Sequence, residues 1–294
     1  MMEDKKYSLD EIKKHIEEER FPFTGFTKSA SIKFLFNKPS FYAGIAMHCG
    51  SFVRQEILDI MEVSKDDRFR EEDPYTDYFI NDLPIQIYVC DSRFEYDVNR
   101  ERYRAVYQTP DMAWGLNILK RPLKEDELNR SLEKYDEFHN FMDIVTNYLL
   151  KKNKYALLLD IHAYNYQREK RLSWFEDSKP VINIGTGAVN RQIFSDVIKD
   201  FINRLQKIKI LNHEIYVGEN VLFKGGYLSR RLLKKHYNNL LFIAIEFKKF
   251  FMDEWSGKLD KETLNNFLPE YQKTIHTLIT HPFFKESSSN FGED

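Results

Sequence analysis

Cysteine is scarce in this chain, and so are long apolar runs and any excess of one charge. The 294 residues include two cysteines, which are too few for a disulfide framework. No stretch approaches the roughly 18 consecutive apolar residues of a membrane-spanning helix. The formal net charge is −2, with 44 basic and 46 acidic residues. The composition therefore excludes a disulfide scaffold and gives no reason to expect nucleic acid or membranes as partners.

The residues that are present can build one sizeable core. Hydrophobic residues make up 42% of the chain. The first fifteen residues are polar and acidic, unlike a secretion signal, so we expect a cytoplasmic protein. No repeat or long linker divides the sequence, and we predict one domain over 1–294, with an amino-terminal extension over 1–40 and a flexible tail over 285–294. The oligomeric state does not follow from the sequence.

Strands alternate with helices along most of the sequence, which predicts an α/β protein with a mostly parallel sheet. A charged run over 64–73 is predicted to be a solvated loop, and 224–231 is predicted to be a flexible loop. The predicted strands cover 41–47, 85–90, 156–159, 181–185, 208–217 and 241–247, and the predicted helices cover 8–19, 52–63, 125–152, 189–205 and 263–279.

Two histidines follow predicted strands. His48 precedes a glycine turn, and His162 comes shortly after the apolar run over 156–159 and two residues after Asp160. Ligand sites of open α/β sheets lie at the carboxyl ends of strands, and an aspartate can orient an imidazole as a metal ligand. Two histidines and one carboxylate would satisfy a catalytic zinc. The alternative is a pair of loop histidines that bind nothing.

Glu246 lies among apolar residues in the predicted strand over 241–247. A carboxylate buried there is costly unless it is paired, protonated or near a metal. Burial would raise its pKa, which suits a general base. The alternative is a glutamate that faces solvent or pairs with Lys248.

Two further stretches carry groups that suit an anionic substrate. Asp97-Val98-Asn99-Arg100 places a guanidinium beside an amide, which could hold a carboxylate, although a surface ion-pair loop has the same composition. The segment over 225–231 combines two glycines with a tyrosine and two arginines. It could close on an anion or be a simple turn.

In this order the motifs resemble those of the N-formylglutamate amidohydrolase family, whose fold is similar to that of the zinc carboxypeptidases and aspartoacylases. The resemblance covers about 42–255 and implies a three-layer α/β/α fold with a mostly parallel mixed sheet, zinc carboxypeptidase-like. The motifs that carry it are Met47-His48-Cys49-Gly50, Thr76-Asp77-Tyr78, Ser92-Arg93 followed by Asp97-Val98-Asn99-Arg100, Asp160-Ile161-His162-Ala163, Gly225-Gly226-Tyr227 followed by Arg230, Ile245-Glu246-Phe247 and Met252-Asp253-Glu254.

The resemblance implies a hydrolase that uses Zn²⁺ to activate water against the amide bond of a small, carboxylate-bearing N-acyl amino acid such as N-formylglutamate. It implies that His48, Asp77 and His162 hold the metal and that Glu246 is the general base. The remaining implied roles are a carboxylate clamp formed by Asn99 and Arg100, and contacts to the oxyanion or a second carboxylate from Arg93, Tyr227 and Arg230.

The sequence also departs from the related patterns. Carboxypeptidases carry a glutamate ligand three residues after the first histidine, and here that position is Ser51. Asp77 is the predicted replacement, with Glu56 as the alternative, and Cys49 stands where the family has serine and could itself bind zinc. The missing glutamate leaves two other functions open. One is a non-catalytic protein that binds a carboxylate ligand or a partner, and the other is a carboxypeptidase-like peptide or cell-wall amidase.

Overall fold

The fold is built on a nine-stranded mixed sheet flanked by helices, as seen in a computed structural model. The structure describes residues 5–151, 153–167 and 172–285, so residues 286–294 of the predicted tail lie outside it. Within these ranges the strands are β1 (Lys6–Tyr7), β2 (Phe23–Thr27), β3 (Ile32–Phe36), β4 (Tyr42–Ala46), β5 (Ile85–Val89), β6 (Ala156–Tyr164), β7 (Ile182–Gly185), β8 (Lys209–Ile210), β9 (His213–Glu214), β10 (Val217–Glu219) and β11 (Leu240–Lys248).

The flanking helices have the alternation with strands that the sequence predicts. Helix α4 packs against α1, and α5 packs against α7. Among the described residues, no helix is both long and apolar enough to cross a membrane. The helices are α1 (Leu9–Glu17), α2 (Gln55–Leu58), α3 (Lys65–Glu71), α4 (Glu125–Lys151), α5 (Arg191–Leu205), α6 (Tyr227–His236), α7 (Lys261–Ile279) and α8 (Pro282–Lys285).

The strand order of the main sheet is β1-β2-β3-β5-β4-β6-β11-β7-β10, and β8 and β9 form a separate pair. Strand β4 runs parallel to β5 and β6, β6 runs parallel to β11, and β7 runs parallel to β10. Antiparallel pairs join β2 to β3, β3 to β5 and β7 to β11. The predicted α/β class and mostly parallel mixed sheet are confirmed.

Strands β4, β6 and β11 place the functional side chains. They are almost completely buried, and their parallel pairing brings their carboxyl ends to one edge of the sheet. Glu246 of β11 is in register with His162 of β6. Two residues that are far apart in the sequence thus become neighbours across one pair of strands, at the sheet edge where α/β proteins bind ligands.

The structure differs from the sequence prediction in three segments. No strand is predicted over 5–40, where β1, β2 and β3 continue the main sheet. The charged run over 64–73 contains α3, and several of its charged side chains are buried. The segment over 224–231 is a loop only as far as Gly226, where α6 begins. In each case contacts with distant residues decide the conformation, and the local composition does not show them.

Candidate metal centre and active-site cavity

Three buried side chains converge at the sheet edge: His48, Asp73 and His162. One donor atom from each lies within 4.8 Å of the other two. The Oδ2 atom of Asp73 is 3.0 Å from Nδ1 of His162 and 3.4 Å from Nδ1 of His48. Two imidazole nitrogens and one carboxylate oxygen are the donor types that zinc takes in catalytic sites.

Different elements deliver these three residues. His48 follows β4, and its carbonyl accepts a 2.9 Å hydrogen bond from the backbone NH of Asp73. His162 lies within β6, because this strand continues beyond the predicted end at Leu159 as far as Tyr164. Asp73 lies two residues after α3 ends, in the run for which the sequence predicted a solvated loop.

On the side away from Asp73, each imidazole forms a hydrogen bond with a carboxylate of its own. Nε2 of His48 is 2.8 Å from Asp97 Oδ1, and Nε2 of His162 is 2.9 Å from Asp160 Oδ2. Asp160 and His162 lie two residues apart on a strand, so they project from the same face. A proton on each Nε2 suits these bonds, and each Nδ1 then faces Asp73, where it can bind a proton or a metal ion.

The group fits a cation. With the Nε2 atoms protonated, two lone pairs and a carboxylate point at one another, which is repulsive unless a positive charge lies between them. Nδ1 of His48 is buried without a hydrogen-bond partner. Burial alone would raise the pKa of Asp73, but the hydrogen bond from His162 and the electrostatic attraction of both imidazoles lower it well below its usual value and keep the group anionic.

Two cationic side chains, buried Lys249 and partly buried Arg93, hold the backbone that leads into Asp73. The Lys249 ammonium donates to the carbonyls of Arg70, at 2.5 Å, and Glu72, at 2.8 Å. The Arg93 guanidinium donates to the carbonyl between them at 3.3 Å. These are the last carbonyls of α3, which have no partners within the helix. The two cations therefore stabilise the helix end and fix the position of Asp73.

Glu246 faces the same space from β11. Its removal from bulk water raises its pKa to about 7, with opposing influences from His162 and Asp73. A carboxylate with a pKa near neutrality can accept and release a proton under ordinary conditions. The same carboxylate and that of Asp160 raise the pKa of His162 well above its usual value, against the lowering effect of burial.

A cavity of about 460 Å³ opens beside these groups. Arg93 lines it and also donates to Asp97 Oδ2 at 2.9 Å, with Tyr107 Oη 3.3 Å from its Nε. The complete lining is His48, Glu71, Asp73, Arg93, Asn99, Trp114, His162, Ala163, Tyr164, Asn165, Leu222, Phe223, Lys224, Gly225, Gly226, Glu246 and Lys249.

The structure places some of the predicted substrate-binding residues in the cavity lining and others outside it. Asn99 lines the cavity, and its side-chain oxygen accepts from the backbone NH of Leu228 at 3.1 Å. Arg100 stacks on Tyr107, 4.3 Å from the ring centre, and is not part of the lining. The implied clamp therefore contributes its amide but not its guanidinium to this cavity.

Tyr227 and Arg230 belong to α6 and are also outside the cavity lining. The Tyr227 ring packs 5.6 Å from that of His139. Arg230 is exposed and donates to the carbonyl of Gly225 at 3.3 Å. Their implied contacts with substrate need a rearrangement that this conformation does not contain.

The predicted acidic ligand requires correction, because the carboxylate beside the histidines is that of Asp73. Asp77 lies in the short 3₁₀ segment Thr76–Ile80 and lines a different cavity, of about 380 Å³, together with Cys49 and Cys90. Glu56, the alternative, is bound by Arg130 at 2.6 Å. The Cys49 thiol donates to the carbonyl of Ala46 at 3.2 Å.

The loop between β10 and α6 is anchored to the sheet. Asn183 of β7 is fully buried, and its side-chain oxygen accepts from the backbone NH groups of Val221 and Leu222 at 3.1 and 2.9 Å. Its amide donates to the carbonyl of Phe223 at 2.8 Å. This part of the cavity wall is therefore already formed.

Several residues of the site were not singled out by sequence reasoning: Asp73, Lys249, Lys224, Trp114 and Asn183. Asp73 lies in a run of charged residues that is typical of a solvated surface, and Lys249 follows another lysine at the end of a strand. A local signal exists for Asp73 alone, since it directly precedes Pro74 and the segment that resembles the family.

Comparison with known proteins agrees with this geometry. The family model of N-formylglutamate amidohydrolase matches residues 45–252, well over half of the chain and a range that includes the His48–Asp73–His162 cluster and Glu246. None of the curated proteins matches the chain.

The fold is shared with solved structures at low sequence identity. The N-formylglutamate amidohydrolase of Ralstonia eutropha JMP134 has a TM-score of 0.66 and 14% identity, over 87% of this chain and 99% of that one. The gene product Atu2144 of Agrobacterium tumefaciens has a TM-score of 0.60 and 16% identity, over 86% and 97%. A metallo-carboxypeptidase of Burkholderia cenocepacia has a TM-score of 0.36 and 10% identity, over 85% and 60%. From the extent of the family match, the chain belongs to the N-formylglutamate amidohydrolase family.

Proposed function

We propose that this protein is a zinc-dependent hydrolase that cleaves the amide bond of a small, carboxylate-bearing N-acyl amino acid. The family supports an enzyme that hydrolyses amides. The observation that carries the metal dependence is the convergence of His48 Nδ1, Asp73 Oδ2 and His162 Nδ1 on one point. Zinc held by these three atoms supplies a Lewis acid that lowers the pKa of water to about 7 and polarises a carbonyl.

Glu246 takes the role of general base. It lines the cavity beside His162, and a pKa of about 7 allows it to remove a proton from the attacking water. The same carboxyl then returns this proton to the nitrogen of the departing amine. One group can serve both steps because its two protonation states are close in energy near neutral pH.

Arg93 supplies hydrogen bonds to the oxygen that gains charge during the attack. A guanidinium has five N–H bonds, and the contacts to Asp97, Tyr107 and the Glu71 carbonyl occupy three of them. Its charge is balanced by Asp97, and burial holds its orientation. Such a fixed donor suits a charge that develops only in the transition state.

Metal analysis tests the first part of the proposal. Elemental analysis of the purified protein and of His162→Ala, side by side, should give about one zinc per chain in the former and a loss of it in the latter. An absence of metal from both, even after zinc is added, would contradict the proposal and favour a protein that binds without catalysis.

Glu246→Gln tests the general base. This variant keeps the size of the side chain and should retain zinc, because Glu246 is not one of the three ligands. We expect kcat on N-formyl amino acids to fall by at least about 100-fold, the lower range for loss of a general base. Normal turnover with zinc bound would assign the base elsewhere. Cleavage of peptides but not of N-acyl amino acids by the unmodified protein would instead indicate a peptide amidase.

A further inference from the structure

Three cationic side chains line the cavity, and they differ in the hydrogen-bond and ion-pair partners that they already have. The Arg93 guanidinium is paired with Asp97, and the Lys249 ammonium is occupied by two backbone carbonyls. Lys224 is exposed, and no side chain within the described parts of the chain forms a hydrogen bond or ion pair with its ammonium. Among the described residues that line the cavity, Lys224 is thus the cation whose charge no carboxylate or carbonyl already binds.

Three apolar side chains lie at the mouth of the cavity, where its lining is exposed. Trp114, Leu222 and Phe223 all line it, although they are 45%, 40% and 38% exposed. Single exposed apolar residues are common on proteins, but three around one opening form a surface that a ligand can cover. If the substrate carried a second carboxylate against these side chains, that group would lose its hydration without gaining a hydrogen-bond or ion-pair partner from them.

Both sides of this mouth are held in place. The Trp114 ring lies 4.9 Å from the Arg93 guanidinium and 6.0 Å from the Tyr107 ring. On the other side, Phe223 packs 5.6 Å from Tyr164, and Asn183 fixes its backbone. An apolar group can thus bind between preformed walls, without the cost of ordering a loop.

We propose that the substrate carries one carboxylate, bound by Lys224, and one bulky apolar group, bound at Trp114, Leu222 and Phe223. The preferred compounds are N-acyl derivatives of amino acids such as phenylalanine or leucine, and not the dicarboxylate N-formylglutamate. This inference rests on the proposed hydrolysis of N-acyl amino acids and names the class of amino acid that the same cavity selects.

A substrate comparison tests the class directly. We expect kcat/KM for N-formylphenylalanine and N-formylleucine to exceed that for N-formylglutamate by at least about tenfold, as apolar contacts of this size give. The zinc-loaded, full-length protein should be used at one pH for all three compounds. Equal values, or a preference for N-formylglutamate, would overturn the inference.

Phe223→Ser tests the apolar wall, with Val221→Ser as the matched control. Val221 belongs to the same anchored loop and is 51% exposed, but it does not line the cavity. Phe223→Ser should lower kcat/KM for N-formylphenylalanine about tenfold more than it lowers that for N-formylalanine. Val221→Ser should change neither. Equal losses on both substrates in Phe223→Ser would contradict the assignment.

Lys224→Met tests the carboxylate contact, with Lys234→Met as the control, since Lys234 is an exposed cation on α6 outside the cavity. The readout is the ratio of kcat/KM for N-formylphenylalanine to that for its carboxamide. This ratio should fall at least about tenfold in Lys224→Met, as expected for loss of a charged hydrogen bond, and stay constant in Lys234→Met. A fall in Arg230→Met but not in Lys224→Met would overturn the role of Lys224.

Binding separates this inference from the proposed function. If no amide is hydrolysed, the catalytic proposal fails, and calorimetry with N-acetylphenylalanine and N-acetylglutamate still measures the preference of the cavity. Tighter binding of the aromatic compound, lost in Phe223→Ser, would support the inference. Tighter binding of the dicarboxylate would overturn it.

Discussion

Two aspartates that are four residues apart, Asp73 and Asp77, line cavities of opposite character. Asp73 contacts two histidines, which lower its pKa despite burial. Asp77 shares its cavity with two thiols, and burial raises its pKa because backbone NH groups and Lys33 offset this effect only in part. The side chains are chemically identical, so their neighbours decide which one can serve as a metal ligand.

The neighbours of Asp77 reinforce this contrast. Burial raises the pKa of Cys49 well above its usual value and that of Cys90 to about 11. Both thiols therefore remain protonated at neutral pH, whereas metals bind thiolates. Cys49 follows His48 in the sequence, but its thiol donates to the carbonyl of Ala46 and lines the cavity of Asp77.

The sharpest test of the contrast between the two aspartates compares the zinc affinities of the variants Asp73→Asn and Asp77→Asn. Loss of an anionic ligand should weaken zinc binding by more than about 100-fold, which exceeds the usual effect of residues outside the ligand set. Asp77→Asn should leave the zinc affinity unchanged. Competition with a chromogenic chelator measures both values, and a large loss in Asp77→Asn would restore the ligand predicted from the sequence.

Asp160→Asn removes the charge behind His162 but keeps an oxygen that can accept the Nε2–H bond. We expect zinc affinity to fall about tenfold, at the lower end of the range for carboxylates that orient a ligand histidine. The same chelator assay measures this change. An effect as large as that of Asp73→Asn would indicate that Asp160 itself is a ligand.

Lys249→Met, with Lys248→Met as control, tests whether the backbone before Asp73 needs its cation. Both lysines are buried, but Lys248 binds Asp177 at 2.9 Å and the carbonyl of Trp174 at 3.0 Å. Each substitution should cost about 1–3 kcal/mol of unfolding free energy by leaving buried acceptors unpaired. Zinc affinity should fall only in Lys249→Met. Equal metal affinity in both variants would contradict the positioning role.

The smallest expected effect is on the pH dependence of stability. The folded-state pKa of Asp77 is raised, so its contribution to stability is greatest at low pH and declines as pH rises through its unfolded value of 3.8 and beyond. Asp77→Asn removes this decline. In denaturant unfolding, the free energy of unfolding of the variant should therefore rise relative to that of the unmodified protein between pH 4 and 7. A relative fall over this range would show that the pKa of Asp77 is lowered in the folded state.

The sequence predicts much of the fold and part of the site. The alternation of strands and helices indicates the α/β class, and strand-end positions identify His48, His162 and Glu246 as candidates that the structure places together. Strands β2 and β3 are absent from the prediction, although Ile32, Phe34 and Phe36 alternate as a strand requires.

Asp73 is harder to find from the sequence, for a physical reason. A dense run of charges is usually solvated, and here it is buried because Arg93 and Lys249 bind the carbonyls before Asp73. These partners lie far away in the sequence, so no local pattern reports the contact. The same holds for Arg100, whose orientation is set by the ring of Tyr107 and not by its own motif.

The cluster also links distant parts of the chain. Asp73 and His162 are separated by 89 positions, and His48 adds a third segment. An ion bound by all three links these segments in the folded state, whereas a disulfide also constrains the unfolded chain. Because the ion binds the folded state, free metal at a hundred times its Kd adds about 2.7 kcal/mol to the unfolding free energy. The supply of metal would then determine how long the protein stays folded as well as how fast it hydrolyses its substrate.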